Sequence, residues 1–152
     1  MIIREFLYSD SDEVSKLCMS SFMGTVAETL PEQGVLTFGQ IASSDALFER
    51  MMQDNIMLVA LIDAFVVGYV ELKQRKHIAM LFVAPEYQRQ GVGRSLLSEI
   101  KRAAASPKLT VHASTTSVSA YERYGFVSVG DIAVSEGLIY QPMELRFEDY
   151  EH

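Results

Sequence analysis

Alternating and helically spaced apolar positions divide this chain into recognisable elements. Residues 2–8 read as a strand. Ser9-Asp10-Ser11-Asp12-Glu13 offers helix caps, and Asp10 and Glu13 stand at capping-box spacing. Val14, Leu17, Cys18 and Phe22 then recur at helical spacing. Residues 24–40 are less regular; Pro31, Gly34 and Gly39 predict a bend between two helical pieces. Leu47, Phe48 and Met51 place a helix over residues 44–52. Three strands follow, at 56–62, 65–73 and 77–83, joined by tight turns at Asp63-Ala64 and Gln74-Arg75-Lys76. The apolar pattern Val92, Leu96, Leu97, Ile100 and Ala104 predicts the main helix over 91–105, and Pro107 stops it. A strand at 109–113 leads to a helix at 116–124, with Gly125 as its C-terminal cap. Residues 126–134 and 138–147 close the chain as a hairpin around Glu136-Gly137. Pro142 within the last strand predicts an edge, a bulge or an early break.

The resulting order is β-α-α-β-β-β-α-β-α-β-β, an α/β chain of the α+β type. A chain of 152 residues fits one domain, spanning 1–152. Apolar residues make up 49% and charged residues 22%, which is globular rather than disordered composition. No apolar run approaches the roughly 20 residues of a membrane span. Met1-Ile2-Ile3-Arg4-Glu5-Phe6 lacks a secretory layout, so the expected location is cytoplasmic. Cys18 is the single cysteine, which excludes an internal disulfide and a Cys-rich metal site. It lies on an apolar helix face and reads as a small buried hydrophobe. The net charge of −7 argues against general nucleic-acid binding. An acidic surface would also steer a cationic partner toward the protein.

The chemistry concentrates in Ala84-Pro85-Glu86-Tyr87-Gln88-Arg89-Gln90-Gly91-Val92-Gly93-Arg94-Ser95-Leu96-Leu97. A strand delivers the chain to a glycine-bearing turn, and the turn opens a helix. The first N–H groups of a helix have no intrahelical partner, so this place suits an anion. Gly91 and Gly93 remove side chains where a phosphate would approach backbone. Gln88, Arg89 and Arg94 are near enough to reach the same anion. A P-loop would need glycine at position 88 and lysine at 94, and a dinucleotide fingerprint would need glycine at 96. What remains is Gln-x-x-Gly-x-Gly, carried by Gln88, Gly91 and Gly93.

That spacing resembles the pyrophosphate-binding signature of the GNAT superfamily, the acetyl-CoA-dependent N-acetyltransferases. A second segment strengthens the resemblance. Val111-His112-Ala113-Ser114 precedes Ala120-Tyr121-Glu122-Arg123-Tyr124-Gly125-Phe126, where Tyr121, Glu122, Arg123, Gly125 and Phe126 match the family's later motif. Ala120 departs from it, replacing a larger apolar residue. The two motifs stand in the family's order and together cover about a third of the chain. The resemblance implies the GNAT fold: a mixed, mostly antiparallel sheet of about seven strands flanked by about four helices. Two neighbouring strands would splay apart, with acetyl-CoA wedged between them as co-substrate and no metal required.

Residue roles follow from the resemblance. Backbone at Gln88, Arg89, Gln90, Gly91, Val92, Gly93, Arg94 and Ser95 would hold the pyrophosphate. Arg89, Arg94, Lys101 and Arg102 would make a positive island in an acidic protein. Strand backbone at Leu81, Phe82 and Val83 would pair with the pantetheine arm as an added strand. Ser114 would be a further cofactor contact. Tyr121 matches the tyrosine that donates a proton to the CoA sulfur, and a phenol with an ordinary pKa near 10 keeps its proton at neutral pH. The amine must lose a proton before attack. Glu71, His77 and His112 are the candidate bases, and a water path or a loop residue is the alternative. The family's usual glutamate in the fourth strand is absent from Ile78-Ala79-Met80-Leu81. Phe22, Met23, Phe38, Tyr140 and Met143 would line an acceptor pocket or else belong to the core.

The function implied is acetyl transfer to a primary amine of a small molecule, by direct attack in a ternary complex. The partners expected are that amine acceptor, no nucleic acid and no membrane, with the chain a monomer or a homodimer. The alternatives are an acyl-CoA-binding or sensing module without turnover, and an acyltransferase for a longer acyl-CoA or a protein amine.

Overall fold

A computed structural model describes residues 1–147. Its eight strands are β1 (Ile2–Glu5), β2 (Asn55–Ile62), β3 (Phe65–Lys73), β4 (His77–Val83), β5 (Lys108–Ser114), β6 (Val127–Ser128), β7 (Ala133–Ser135) and β8 (Leu138–Arg146). The helices are α1 (Ser11–Thr25), α2 (Glu32–Ile41), α3 (Ser44–Met51), α4 (Val92–Ala103) and α5 (Val118–Arg123). The strands form one sheet in the order β1-β2-β3-β4-β5-β8-β6, with β7 also paired to β8. Every pairing is antiparallel except β4 with β5.

Helices cover the sheet on both faces. Val92, Leu96, Leu97 and Ile100 of α4 pack with Val70, Leu72, Ile78, Leu109 and Val111 on one face. Val14, Leu17, Cys18 and Phe22 of α1 join Phe38, Leu47, Val59, Tyr69 and Met80 on the other. β3 runs between these layers and is buried from Val66 to Leu72. Each fully buried aliphatic side chain, such as Leu96 or Ile100, contributes about 1.5–3 kcal/mol.

Several elements differ from the sequence expectation. β1 stops at Glu5 because Asp10 folds the chain back. Its carboxylate accepts from the Leu7 N–H at 2.7 Å and from Arg4 at 2.8 and 3.0 Å. The capping box does not form, since Glu13 accepts instead from the Val66 N–H at 2.8 Å, tying α1 to β3. The bend expected between two helical pieces falls between α1 and α2, ending at Pro31, and residues 32–41 are then one helix that runs through Gly34. That glycine serves close approach: a Cβ there would strike the Gly137 carbonyl in the β7–β8 turn. The Thr37 hydroxyl donates to the Glu136 carbonyl beside it at 2.8 Å.

The strand expected over 126–134 divides into β6 and β7. Pro142 stands opposite the break, paired with His112 on its β5 side. Its carbonyl accepts from the Val129 N–H at 2.9 Å. The donor that proline lacks would point between β6 and β7, so β8 continues through it and the interruption falls on its neighbours.

The most consequential irregularity lies in β4. Glu71 pairs with Met80 and Leu72 with Ile78, which leaves Ala79 as an extra residue. Such a bulge bends its strand and re-aims the side chains beyond it. Ile78 accordingly faces the α4 core and Met80 the α1 core. Just there β4 leaves β5, for their pairing is limited to His77 with Thr110 and Ile78 with Val111.

Candidate active site

Beyond Ile78 the β5 side of β4 is an open strand edge. The Ala84 N–H donates to the Val67 carbonyl on β3 at 2.8 Å. Alternation along an antiparallel ladder then turns the amides of Leu81 and Val83 away from β3, into the gap. The Val83 carbonyl accepts from the Gln88 side chain at 3.2 Å, which ties the following turn to the strand end. Phe82 belongs to the ladder with β3, opposite Tyr69, and its ring packs edge-on against Phe38 at 5.6 Å.

The turn leading into α4 is shaped by two left-handed residues, Arg89 (φ 63°) and Gly91 (φ 86°). The first is uncommon for a side-chain-bearing residue and was not foreseen. The Gln90 side chain donates to the Glu86 carbonyl at 3.1 Å and braces the loop. The N–H groups of residues 89–94 take no hydrogen bond among the described residues. They sit at the positive end of α4. Gly91 has open space where a Cβ would stand. Gly93 does not: a Cβ there would collide with the Tyr124 hydroxyl. The idea that both glycines clear room for a phosphate is therefore corrected; at Gly93 the missing side chain admits Tyr124. The Arg94 guanidinium lies over the same tyrosine ring, 5.6 Å from its centre. Val92 is buried and offers only backbone, while Ser95 is half-buried and its N–H bonds to the Gly91 carbonyl.

Tyr124 thus fastens α5 beside the start of α4. One helical turn earlier stands Tyr121, edge-on to Tyr124 at 6.2 Å and to Phe126 at 5.2 Å. Its ring is buried, and burial pushes its pKa well up. Its hydroxyl has no hydrogen-bond partner among the described residues, yet it is not sealed from solvent. A phenol that stays protonated and uncommitted is suited to proton donation. Ser114 is engaged locally, 2.7 Å from the Ser117 hydroxyl, joining β5 to α5.

The three base candidates separate sharply. Glu71 is not a solvated strand carboxylate. It is completely buried, and Arg50, Asn55 and Tyr69 bond it through both oxygens, so it is no free base. The Nδ1 atom of His77 lies 2.8 Å from the Thr110 hydroxyl, and burial lowers its pKa to about 4. His112 is exposed, stacks on Tyr140 at 4.1 Å and meets the His77 ring edge-on at 4.6 Å. Partial burial lowers its pKa as well, so at neutral pH it is an uncharged acceptor. No hydrogen bond engages it among the described residues.

Of the five residues expected to line an acceptor pocket or belong to the core, three belong to the core. Phe22 and Phe38 stack on each other at 4.0 Å inside the α1 core, and Met143 is buried in the α4 core. Met23 is exposed and Tyr140 lies on His112. In the sequence Tyr124 stands only as a member of the second motif segment, and Arg50 and Asn55 belong to no motif. Helical spacing from Tyr121 was a signal for the first, and nothing local marked the other two.

The sheet thus splits beside a helix N-terminus with unbonded N–H groups, and α5 next to it carries the Tyr121 phenol. The acetyltransferase (GNAT) domain model matches residues 26–147, and the chain belongs to that family of acetyl-CoA-dependent N-acetyltransferases. The chain is 30% identical over 127 residues to the uncharacterized N-acetyltransferase YafP of Escherichia coli K12, a match spanning 84% of this chain and 81% of that protein. Among solved structures it is similar to a GCN5-related N-acetyltransferase from Rhodopseudomonas palustris, at 24% identity and a TM-score of 0.83 over 96% of this chain and 95% of that one. It is also similar to PaiA N-acetyltransferase of Thermoplasma acidophilum, solved in complex with coenzyme A, at 20% identity and a TM-score of 0.76 over 96% and 98%. At these identities the two structures establish the fold. Among the described residues no helix is long and apolar enough to cross a membrane.

Proposed function

We propose that this protein moves the acetyl group of acetyl-CoA to the primary amine of a small molecule, by direct attack in a ternary complex. The observation that carries the reading is the continuity of two unused hydrogen-bonding surfaces. The open β4 edge leads, through the short Pro85–Tyr87 turn, to the unbonded N–H groups of residues 89–94. An extended amide-bearing arm ending in a pyrophosphate needs both. Leu81 and Val83 pair with the arm, the α4 turn holds the phosphates, and Arg89 and Arg94 add positive charge.

Tyr121 gives its phenolic proton to the departing sulfur. His112 is the one base candidate without a hydrogen bond among the described residues, and it takes the amine's proton through water. The net charge of −7 favours a cationic acceptor by long-range steering. A panel of acceptors tests the reading by CoA release. Turnover with small primary amines, and none with peptide N-termini or lysyl peptides, is the expected result. The opposite preference would overturn the small-molecule assignment, and acetyl-CoA binding without turnover on any amine would favour a sensing module.

A further inference from the structure

Beneath the β4 bulge lies a buried polar network that the acetyl-transfer reading leaves unused. The Glu71 Oε2 accepts from Arg50 Nε at 2.6 Å and from Asn55 Nδ2 at 2.6 Å. Its Oε1 accepts from the Tyr69 hydroxyl at 2.7 Å and from Arg50 Nη2 at 3.2 Å. A carboxylate has about four acceptor sites, and all are filled. Arg50 Nη2 also reaches the Met80 Sδ at 3.5 Å. The Glu71–Arg50 pair therefore joins α3, the first residue of β2, the centre of β3 and the first β4 residue after the bulge. The side chain of Arg50 is 21% exposed, while that of Glu71 is 0% exposed.

Stability does not account for such a pair. Taking both charges out of water costs about as much as their attraction returns, and apolar replacements of similar volume are often no less stable. A network bonded at every site does fix geometry. Its position matters here, because Met80 is Glu71's cross-strand partner and Leu81, next along β4, carries the first amide facing the gap. A shift of Met80 passes directly to that amide.

We propose that Glu71, Arg50 and Asn55 are positioning residues for the cofactor edge. They pin the bulge at Ala79 and so aim the Leu81 and Val83 amides into the gap. This inference rests on the reading of that edge as the acetyl-CoA site.

The test compares wild-type protein with the double variant Arg50→Met/Glu71→Leu and the mild variant Tyr69→Phe. Melting temperature, acetyl-CoA affinity, acceptor KM and the amide NMR shifts of the ligand-free protein are measured. The double variant leaves the buried Tyr69 hydroxyl and the Asn55 amide without their acceptor, so it is expected to melt somewhat lower while staying folded and keeping its acceptor KM. It should bind acetyl-CoA about tenfold more weakly, short of the ~100-fold that a misplacement of about 1 Å can cost, and the Leu81 and Val83 amide shifts should move. Wild-type affinity in a folded double variant would overturn the proposal, since a merely structural pair is replaceable. If the double variant does not fold, Tyr69→Phe decides: a roughly two- to threefold loss with moved β4 shifts supports positioning, and unchanged affinity or shifts overturn it. If wild-type protein binds no acetyl-CoA, the reading of the edge fails by itself. The free-protein shifts still judge the bulge, and unmoved shifts overturn that part too.

Discussion

Gly91 and Gly93 stand two positions apart in one motif and are glycine for different reasons. Gly91 has a left-handed backbone and open space around it, as a ligand-facing position requires. Gly91→Val should weaken acetyl-CoA binding by about tenfold or more, part of it from a strained φ worth about 1–2 kcal/mol; unchanged affinity by titration would remove the turn from the site. Gly93 is small because Tyr124 fills its place. The sequence motif shows both glycines and cannot show this difference, since the Tyr124 contact is tertiary. Glu71 illustrates the same limit. Its strand was legible, but its burial depends on Arg50 and Asn55 arriving from other elements. Tyr121 stands out in sequence through the motif alone, and its hydroxyl is uncommitted among the described residues. Tyr121→Phe should lower kcat by about 100-fold while acetyl-CoA affinity holds, and equal turnover in steady-state assays would make it a packing residue.

At the scale of elements, the strands at 65–73 and 77–83 agree with their expected bounds because each is closed by turn residues with positive φ, or by proline. Asp63, Ala64, Gln74 and Arg75 all adopt that conformation. What composition did not show was how elements meet. The bulge at Ala79 has no signature in its own sequence, yet it coincides with the parting of β4 from β5. The division of β6 from β7 likewise depends on pairing with β8 around Pro142. The junction of α4 with α5 is open to a paired test. Gly93→Ala should force α5 away from the cofactor turn and weaken both stability and acetyl-CoA binding. Adding Tyr124→Phe removes the colliding hydroxyl and should recover most of the loss. A second substitution that merely adds its own cost would show that this contact does not set the junction.

For the whole molecule, the helical layers and the sheet make a scaffold whose two halves separate along one line, β4 from β5. The same line concentrates its acid sensitivity. His77, half-buried at the β4–β5 contact, has a folded pKa of about 4 against an ordinary 6.5, and His112 beside it is lowered too. Below pH 6.5 the unfolded chain binds protons that the folded chain refuses. Stability is therefore complete above that pH and falls as pH drops toward 4. Asp10, held below its ordinary 3.8 by Arg4, extends the loss to lower pH. Melting temperatures across pH 7 to 4 should decline, and His77→Gln should flatten the decline; a variant with the wild-type slope would place the sensitivity elsewhere. The central claim is that the open β4 edge and the α4 turn together form a coenzyme site. Calorimetric titration with acetyl-CoA, repeated with free CoA and with ATP, tests it most directly. Tight binding of both CoA species and little binding of ATP is the predicted result. No heat of binding from either CoA species would contradict the account, and would leave the split sheet and its unbonded N–H groups without a ligand.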